Sequence, residues 1–224
     1  MPNGAAPDVV AVDRALARAY GRKRWAGGGD VLDGLIRTVL SQSTSDTNSR
    51  RAFESLKRRF PTWVSAVRAS VAQIEDAIRS GGLARQKAAV IKAILADIER
   101  DRGEFSLEFL ADLPTDRVRR YLERFKGVGP KTVACVLLFD LGRPVFPVDT
   151  HVLRIAQRLG WVPPRCGAAT THELLGALIP PKLQYQMHIN LIAQGRAICH
   201  PRRPGCSECS ISAFCPRRGV TDPA

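Results

Sequence analysis

Apolar residues recur every three or four positions along most of this chain, a spacing that predicts helices. The predicted helices cover residues 8–20, 31–40, 46–59, 71–79, 86–100, 115–124, 130–139, 150–159, 171–179 and 183–198, and one more begins at Ser106. Asp30 and Asp149 stand where helix N-caps belong, and glycines interrupt the chain between helices. No stretch of useful length alternates apolar and polar residues, so the predicted fold is all-α.

The most distinctive stretch is residues 125–132, which reads Phe-Lys-Gly-Val-Gly-Pro-Lys-Thr and joins two predicted helices. Gly127 and Gly129 permit a tight turn and the close approach of another molecule, and Pro130 suits a first helical turn. Free N–H groups at that helix start attract phosphate oxygens. A Walker A loop is excluded because Pro130 directly precedes Lys131. The stretch therefore favours a clamp for a phosphate backbone, with a plain helix connection as the alternative.

The net charge of the chain says more about its partner than the overall composition does. A chain of 224 residues with 45% hydrophobic and 25% charged residues can bury the core of one domain or two small ones. The net charge of +13 and the pI near 10.2 favour an anionic polymer, so nucleic acid is the predicted partner. An anionic membrane is the competing partner, but no long uncharged apolar run occurs and residues 1–20 lack a signal-peptide pattern. We expect a cytoplasmic, nucleoid-associated protein.

Six cysteines in an intracellular chain are more typical of metal ligands or buried thiols than of disulfides. Four of them share one short C-terminal run, at spacings that predict a metal site: Cys199, Cys206, Cys209 and Cys215. Spacing alone does not distinguish zinc from an iron–sulfur cluster, because four thiolates serve both. Arg202 and Arg203 lie within the first loop of this run, which predicts phosphate contact there. Cys135 is predicted to be core, and Cys166 has no predicted partner.

Three other features each allow two interpretations. The polar run 41–46 is either a capped loop or a loop that contacts DNA. Leu83, on a glycine-flanked loop, either packs onto the core or acts as a wedge in a base stack. Asp149 caps a helix, and the chain between Lys131 and Asp149 is long enough to return the Asp149 carboxylate to Lys131.

Lysine is scarce in this sequence, and Lys131 stands at a helix N-terminus, the unfavourable end for a cation. This placement suggests a chemical role for Lys131.

Three motifs together resemble the endonuclease III family of helix-hairpin-helix DNA glycosylases: the hairpin 127–132, the segment 148–151 and the four C-terminal cysteines. They occur in the family's order between about residues 30 and 215. The resemblance implies a two-lobed all-α fold, with a six-helix barrel over 24–143 and a second lobe formed by 1–23 with 144–224. It also implies a [4Fe-4S] cluster on Cys199, Cys206, Cys209 and Cys215.

The same resemblance assigns residue roles. Lys131 matches the family's nucleophile and Asp149 its essential carboxylate. A helix N-terminus and exclusion from water both disfavour the ammonium form, and only a neutral amine can attack. The predicted DNA contacts are Gly127, Val128, Gly129, Pro130, Gln42, Ser43, Leu83, Arg202 and Arg203.

We therefore predict a bifunctional DNA glycosylase and abasic-site lyase that removes oxidised pyrimidines in base excision repair, as a monomer on damaged double-stranded DNA. The alternatives are a monofunctional mismatch or uracil glycosylase and a damage-binding protein with weak turnover. Two positions depart from the family pattern. Lys126 replaces the usual proline before the hairpin, and Ser43 stands where a glutamine often fills the space left by the flipped base.

Overall fold

The computed structural model describes residues 6 to 223, and within that range the regular structure is helical with no β-strand. The all-α prediction is therefore confirmed. The chain divides into two compact units. One, called here the 27–143 unit, is Gly27–Arg143. The other, the terminal unit, consists of the described residues up to Ala26 together with those from Pro144 onward.

The helices of the 27–143 unit are α2 Val31–Ser41, α3 Asp46–Arg59, α4 Trp63–Arg68, α5 Val71–Ala77, α6 Ala84–Arg102, α7 Thr115–Glu123 and α8 Pro130–Cys135. Short 3₁₀ turns lie at Arg79–Gly81 and Glu108–Asp112. The terminal unit contains α1 Val9–Tyr20, α9 Thr150–Leu159, α10 Ala168–Leu178 and α11 Pro181–Ala197, with a 3₁₀ turn at Ser212–Phe214. Across both units, none of the helices within residues 6–223 is long and apolar enough to span a bilayer.

Three elements differ from the sequence-based prediction. Helix α4 was not predicted, because six residues held by a capping box at Thr62 are too short for a periodic signal. The element expected to begin at Ser106 is only the 3₁₀ turn. Helix α8 does not continue as an α-helix to Phe139: it widens into a π-helix over Val136–Asp140.

The widened turn brings Asp140 against two glycines. A Cβ atom at Gly28 would lie 1.8 Å from the Asp140 carbonyl oxygen, and one at Gly34 of α2 would lie 2.2 Å from its carboxylate. Only glycine leaves room for this approach. The end of the α8 segment is therefore packed directly onto α2.

Each unit has its own apolar interior, built from the stripes that the spacing predicts. In the 27–143 unit the fully buried side chains include Leu32, Leu35 and Ile36 of α2, Ile91, Ile94 and Leu95 of α6, and Val133 and Leu137. In the terminal unit they include Val12 and Leu16 of α1, Val152, Ile155 and Leu159 of α9, and Met187 and Leu191 of α11. These cores fix the helix ends that carry the candidate site.

Candidate active site and nucleic-acid interface

The turn between α7 and α8 requires glycine at its first glycine position for two reasons. Gly127 has φ +86°, a left-handed conformation that other residues adopt with strain. A Cβ atom there would lie 2.9 Å from Cγ2 of Val90, which is tighter than real contacts. Val128 is buried and its N–H donates to the Phe125 carbonyl oxygen at 3.0 Å. The hairpin is therefore closed by its own backbone and packed against α6.

The second glycine of the hairpin is not required by the protein itself. Gly129 has φ −98°, and a Cβ atom there would meet nothing within 4 Å. Gly129 is exposed, and so is Pro130, which occupies the first turn of α8. The packing of the protein would allow a side chain at position 129. Glycine there leaves the surface open to the close approach of another molecule.

Lys131 follows directly in the first turn of α8 and is partly exposed. Among residues 6–223, no hydrogen bond or salt bridge holds its amine. A cation in a first helical turn meets the positive end of the helix dipole, so the position adds no stability to the helix. The amine is free to reach a bound molecule.

Asp149 is the N-cap of α9, as predicted: its Oδ1 accepts a hydrogen bond from the backbone N–H of Val152 at 2.8 Å. The extended segment before it is fixed by two histidine rings. The Nδ1 atom of His172 lies 3.0 Å from the Phe146 carbonyl oxygen, and that of His188 lies 3.0 Å from the carbonyl of Pro147. The carboxylate therefore stands on a rigid support. Lys131 belongs to the 27–143 unit and Asp149 to the terminal unit, and their pairing stays a prediction.

Two loops of the 27–143 unit present residues in an uncommon backbone conformation. Ser43 has φ +51° and is exposed, and Leu83 has φ +48° and is 53% exposed. Non-glycine residues adopt this region rarely, and such strain clusters at functional sites. Leu83 does not pack back onto the core, which favours the wedge interpretation. A Cβ at Gly82 would lie 3.8 Å from Oγ1 of Thr44, so the two loops adjoin.

Gln42, predicted to contact DNA, makes its hydrogen bonds inside the protein. Its Nε2 donates to the Gly127 carbonyl oxygen at 3.3 Å and to Oγ1 of Thr132 at 3.2 Å. These partners are 85 and 90 positions away along the chain, so no local pattern could have revealed them. Gln42 joins the end of α2 to the hairpin.

Lys87 is a buried cation of α6 that the sequence pattern did not predict as a site residue. It is 4% exposed, and its Nζ donates to the carbonyl oxygens of Leu40 and Gly81, each at 2.7 Å. Burial lowers the pKa of its amine. One carbonyl belongs to α2 and the other to the loop 79–83, which carries Leu83 and is called here the wedge loop. Lys87 therefore joins the end of α2 to the wedge loop. In the sequence, this role is indicated only by a basic residue at helical spacing between apolar positions.

The four C-terminal cysteines line one small pocket of the terminal unit. Two side chains donate to the sulfurs: Nη1 of Arg158 to Sγ of Cys199 at 3.0 Å, and Nε2 of Gln194 to Sγ of Cys209 at 3.1 Å. Burial raises the pKa of the Cys209 and Cys215 thiols, and the neighbouring thiols raise it further.

As the side chains of residues 6–223 are placed, no three or more His, Cys, Asp or Glu groups form a metal-holding set. The donor chemistry nevertheless fits a thiolate-bound cluster. Four thiols share one pocket, and N–H groups directed at two sulfurs would stabilise negative charge on them.

The loop after Cys199 is held by the same arginine. Arg158 donates to the carbonyl oxygens of His200 at 2.8 Å and Pro201 at 3.0 Å. Arg202 and Arg203 beyond it are exposed, and Arg203 has φ +48°. Arg203 forms a 4.0 Å surface pair with Asp222. Such a pair contributes little, so both guanidinium groups remain available to an anionic partner.

Two helices joined by a glycine hairpin, with a lysine in the first turn of the second helix, define a helix-hairpin-helix protein. Residues 36–181 match the family model described as HhH-GPD superfamily base excision DNA repair protein. Endonuclease III of Thermotoga maritima is 37% identical over 184 residues, which are 81% of this chain and 80% of that protein. The chain belongs to the HhH-GPD superfamily of base excision DNA repair proteins, as a relative of endonuclease III, and the resemblance seen in the sequence is confirmed.

Two further relatives define the extent of the match. An Arabidopsis thaliana protein named as a candidate DNA glycosylase is 44% identical over 193 residues, covering 86% of this chain. The match spans 63% of that plant protein's length. A solved structure of a trapped endonuclease III–DNA covalent intermediate matches with a TM-score of 0.79 at 25% identity, over 93% of this chain and 94% of its own.

Proposed function

We propose that this protein is a bifunctional DNA glycosylase and abasic-site lyase that removes oxidised pyrimidines from duplex DNA. The observation that carries the proposal is the placement of Lys131. Within the described part of the chain its amine has no hydrogen-bond or ion-pair partner. Lys131 is partly exposed and directly follows the exposed Gly129 and Pro130 of the hairpin. The relative solved as a covalent DNA intermediate supports an attack on the DNA itself.

The proposed chemistry begins with the damaged base swung out of the stack. The lone pair on Nζ of Lys131 attacks C1′ of the sugar, and the bond from C1′ to the base breaks, with its electrons leaving on the base. The sugar ring then opens to a Schiff base. Loss of a C2′ proton expels the 3′ phosphate by β-elimination and nicks the strand. Asp149 accepts the amine proton and stabilises positive charge that develops on the sugar.

DNA binding rests on the hairpin and on charge. An exposed Gly129 without a packing requirement lets a sugar–phosphate backbone approach the free N–H groups at the start of α8. The net charge of +13 supplies long-range attraction to a polyanion. Leu83, half exposed and held in a left-handed conformation, is the proposed wedge beside the vacated base position.

We also propose that Cys199, Cys206, Cys209 and Cys215 hold a [4Fe-4S] cluster. The cluster would fix the basic loop that carries Arg202 and Arg203. Arg158 and Gln194 would orient two of the sulfurs through the N–H donors described above.

The test compares base release with strand nicking on duplexes that each contain one lesion: an oxidised pyrimidine, uracil, a mismatched thymine or an abasic site. We expect wild-type protein to release the oxidised pyrimidine and to nick the same strand at a matching rate. Lys131→Gln should abolish both reactions. Lys182→Gln, which removes an exposed lysine of α11, serves as the matched control and should change neither.

The other outcomes separate the rival functions. Base release without nicking would identify a monofunctional glycosylase in which water replaces the amine. Tight binding of abasic DNA without release of any base in the panel would identify a damage-binding protein.

A further inference from the structure

The C-terminal end of α2 is hydrogen-bonded in two directions. On one side, the buried amine of Lys87 holds the Leu40 carbonyl together with the Gly81 carbonyl of the wedge loop, each at 2.7 Å. Two short bonds from a buried cation are strong, because charge-assisted hydrogen bonds gain strength away from water. The end of α2 is therefore a fixed platform.

The same end of α2 also contacts the hairpin, because the side-chain amide of Gln42, the C-cap of α2, donates hydrogen bonds to it. Its two partners stand on either side of the proposed nucleophile in sequence: Gly127 in the turn before Lys131 and Thr132 immediately after it. A carbonyl oxygen can only accept a hydrogen bond, so the amide nitrogen must face the hairpin. Thr132 is 3% exposed, so its side chain is packed inside the protein. Because Thr132 lies in the first turn of α8, this packing helps to fix that turn.

The amide nitrogen of Gln42 is thus occupied, whereas its neighbour Ser43 is exposed with a left-handed backbone. The two residues have separate tasks. Ser43 faces outward from the loop, and Gln42 connects the loop to the hairpin.

We propose that Gln42 is a positioning residue that fixes the start of α8, and with it the amine of Lys131, rather than a residue that binds DNA. The inference rests on the proposed lyase chemistry. Misplacement of an attacking group by about 1 Å can lower a rate about a hundredfold, so loss of one hairpin anchor affects the chemical step more than DNA affinity.

The experiment measures two quantities for each variant. The first is the single-turnover rate of covalent adduct formation with an abasic-site duplex under borohydride, at saturating protein. The second is the Kd for a duplex that carries a tetrahydrofuran abasic analogue, which cannot react. The variants are Gln42→Ala, Thr132→Val and the double variant. Gln86→Ala is the control, because it removes an exposed amide of α6 that makes no hydrogen bond among the described residues.

We expect Gln42→Ala to lower the trapping rate by about tenfold while Kd changes by less than about threefold. Thr132→Val should lower the rate to a smaller extent. The double variant should resemble Gln42→Ala, because the two side chains share one interaction and their effects are then not additive. Gln42→Asn, which keeps the amide on a shorter stem, should restore part of the rate.

Three results would overturn the inference: an unchanged trapping rate, a Kd that weakens as much as the rate falls, or additive effects in the double variant. Failure of the proposed function gives a different outcome, since wild-type protein would then form no adduct at all.

Discussion

Replacing Asp140 by asparagine should make the protein more stable at neutral pH. The Asp140 carboxyl lies at the end of the α8 segment and faces Gly34 of α2, where a Cβ would lie 2.2 Å away. Burial raises its pKa from 3.8 to about 7. Arg37 opposes this increase, and the nearby carboxylates of Asp30 and Glu108 add to it.

The size and sign of the effect follow from that pKa. Each pKa unit corresponds to about 1.4 kcal/mol, so a carboxyl that moves from 3.8 to about 7 changes the free energy of unfolding by up to about 4 kcal/mol. The folded state binds the proton more tightly than the unfolded state. The stabilisation is therefore complete below about pH 4 and is lost as the pH rises to about 7, above which the contribution stays constant. Asparagine has nearly the same shape and cannot ionise.

The assay is urea unfolding of wild-type protein and Asp140→Asn between about pH 5 and pH 8, because most other titrations cancel in the difference between the two. We expect the variant's advantage in unfolding free energy to grow by about 2 to 3 kcal/mol across this range. A difference between Asp140→Asn and wild-type protein that stays constant across this pH range would refute the reasoning.

Four other changes test separate parts of the structure. Gly127→Ala should lower the free energy of unfolding by about 1 to 3 kcal/mol in urea titrations, because alanine is strained at this positive φ and its Cβ would press against Val90. Gly129→Ala should leave stability unchanged and weaken DNA binding, because a Cβ there meets no protein atom within 4 Å. Arg202→Ala should reduce the slope of log K against log salt by about one unit in anisotropy titrations, and an unchanged slope would exclude a phosphate contact. Cys206→Ser should remove the iron of the proposed cluster and its absorbance at roughly 400 nm; colourless wild-type protein that contains zinc would contradict the cluster.

The parts predicted from sequence are those that depend on local chemistry. The caps at Asp30 and Asp149 were predictable because an N-cap bonds to N–H groups only two or three residues away. The hairpin was predictable because Gly127 permits its tight turn and Pro130 suits the first turn of α8.

The parts that could not be predicted depend on distant partners. The Lys87 amine and the Gln42 amide bond to backbone carbonyls that only the folded chain brings near, 47 and 85 positions away along the chain. The partly buried Asp140 is likewise explained by Gly28 and Gly34, which pack against it from other segments. A residue's type alone did not indicate these roles, because lysine, glutamine and aspartate are most often exposed.

The most direct test of the account is to trap the covalent adduct and identify the attached residue. Borohydride reduction on an abasic-site duplex, followed by proteolysis and mass spectrometry, should place the sugar on Lys131, and Lys131→Ala should give no adduct. Trapping that survives Lys131→Ala unchanged, or a sugar attached to another lysine, would contradict the central claim.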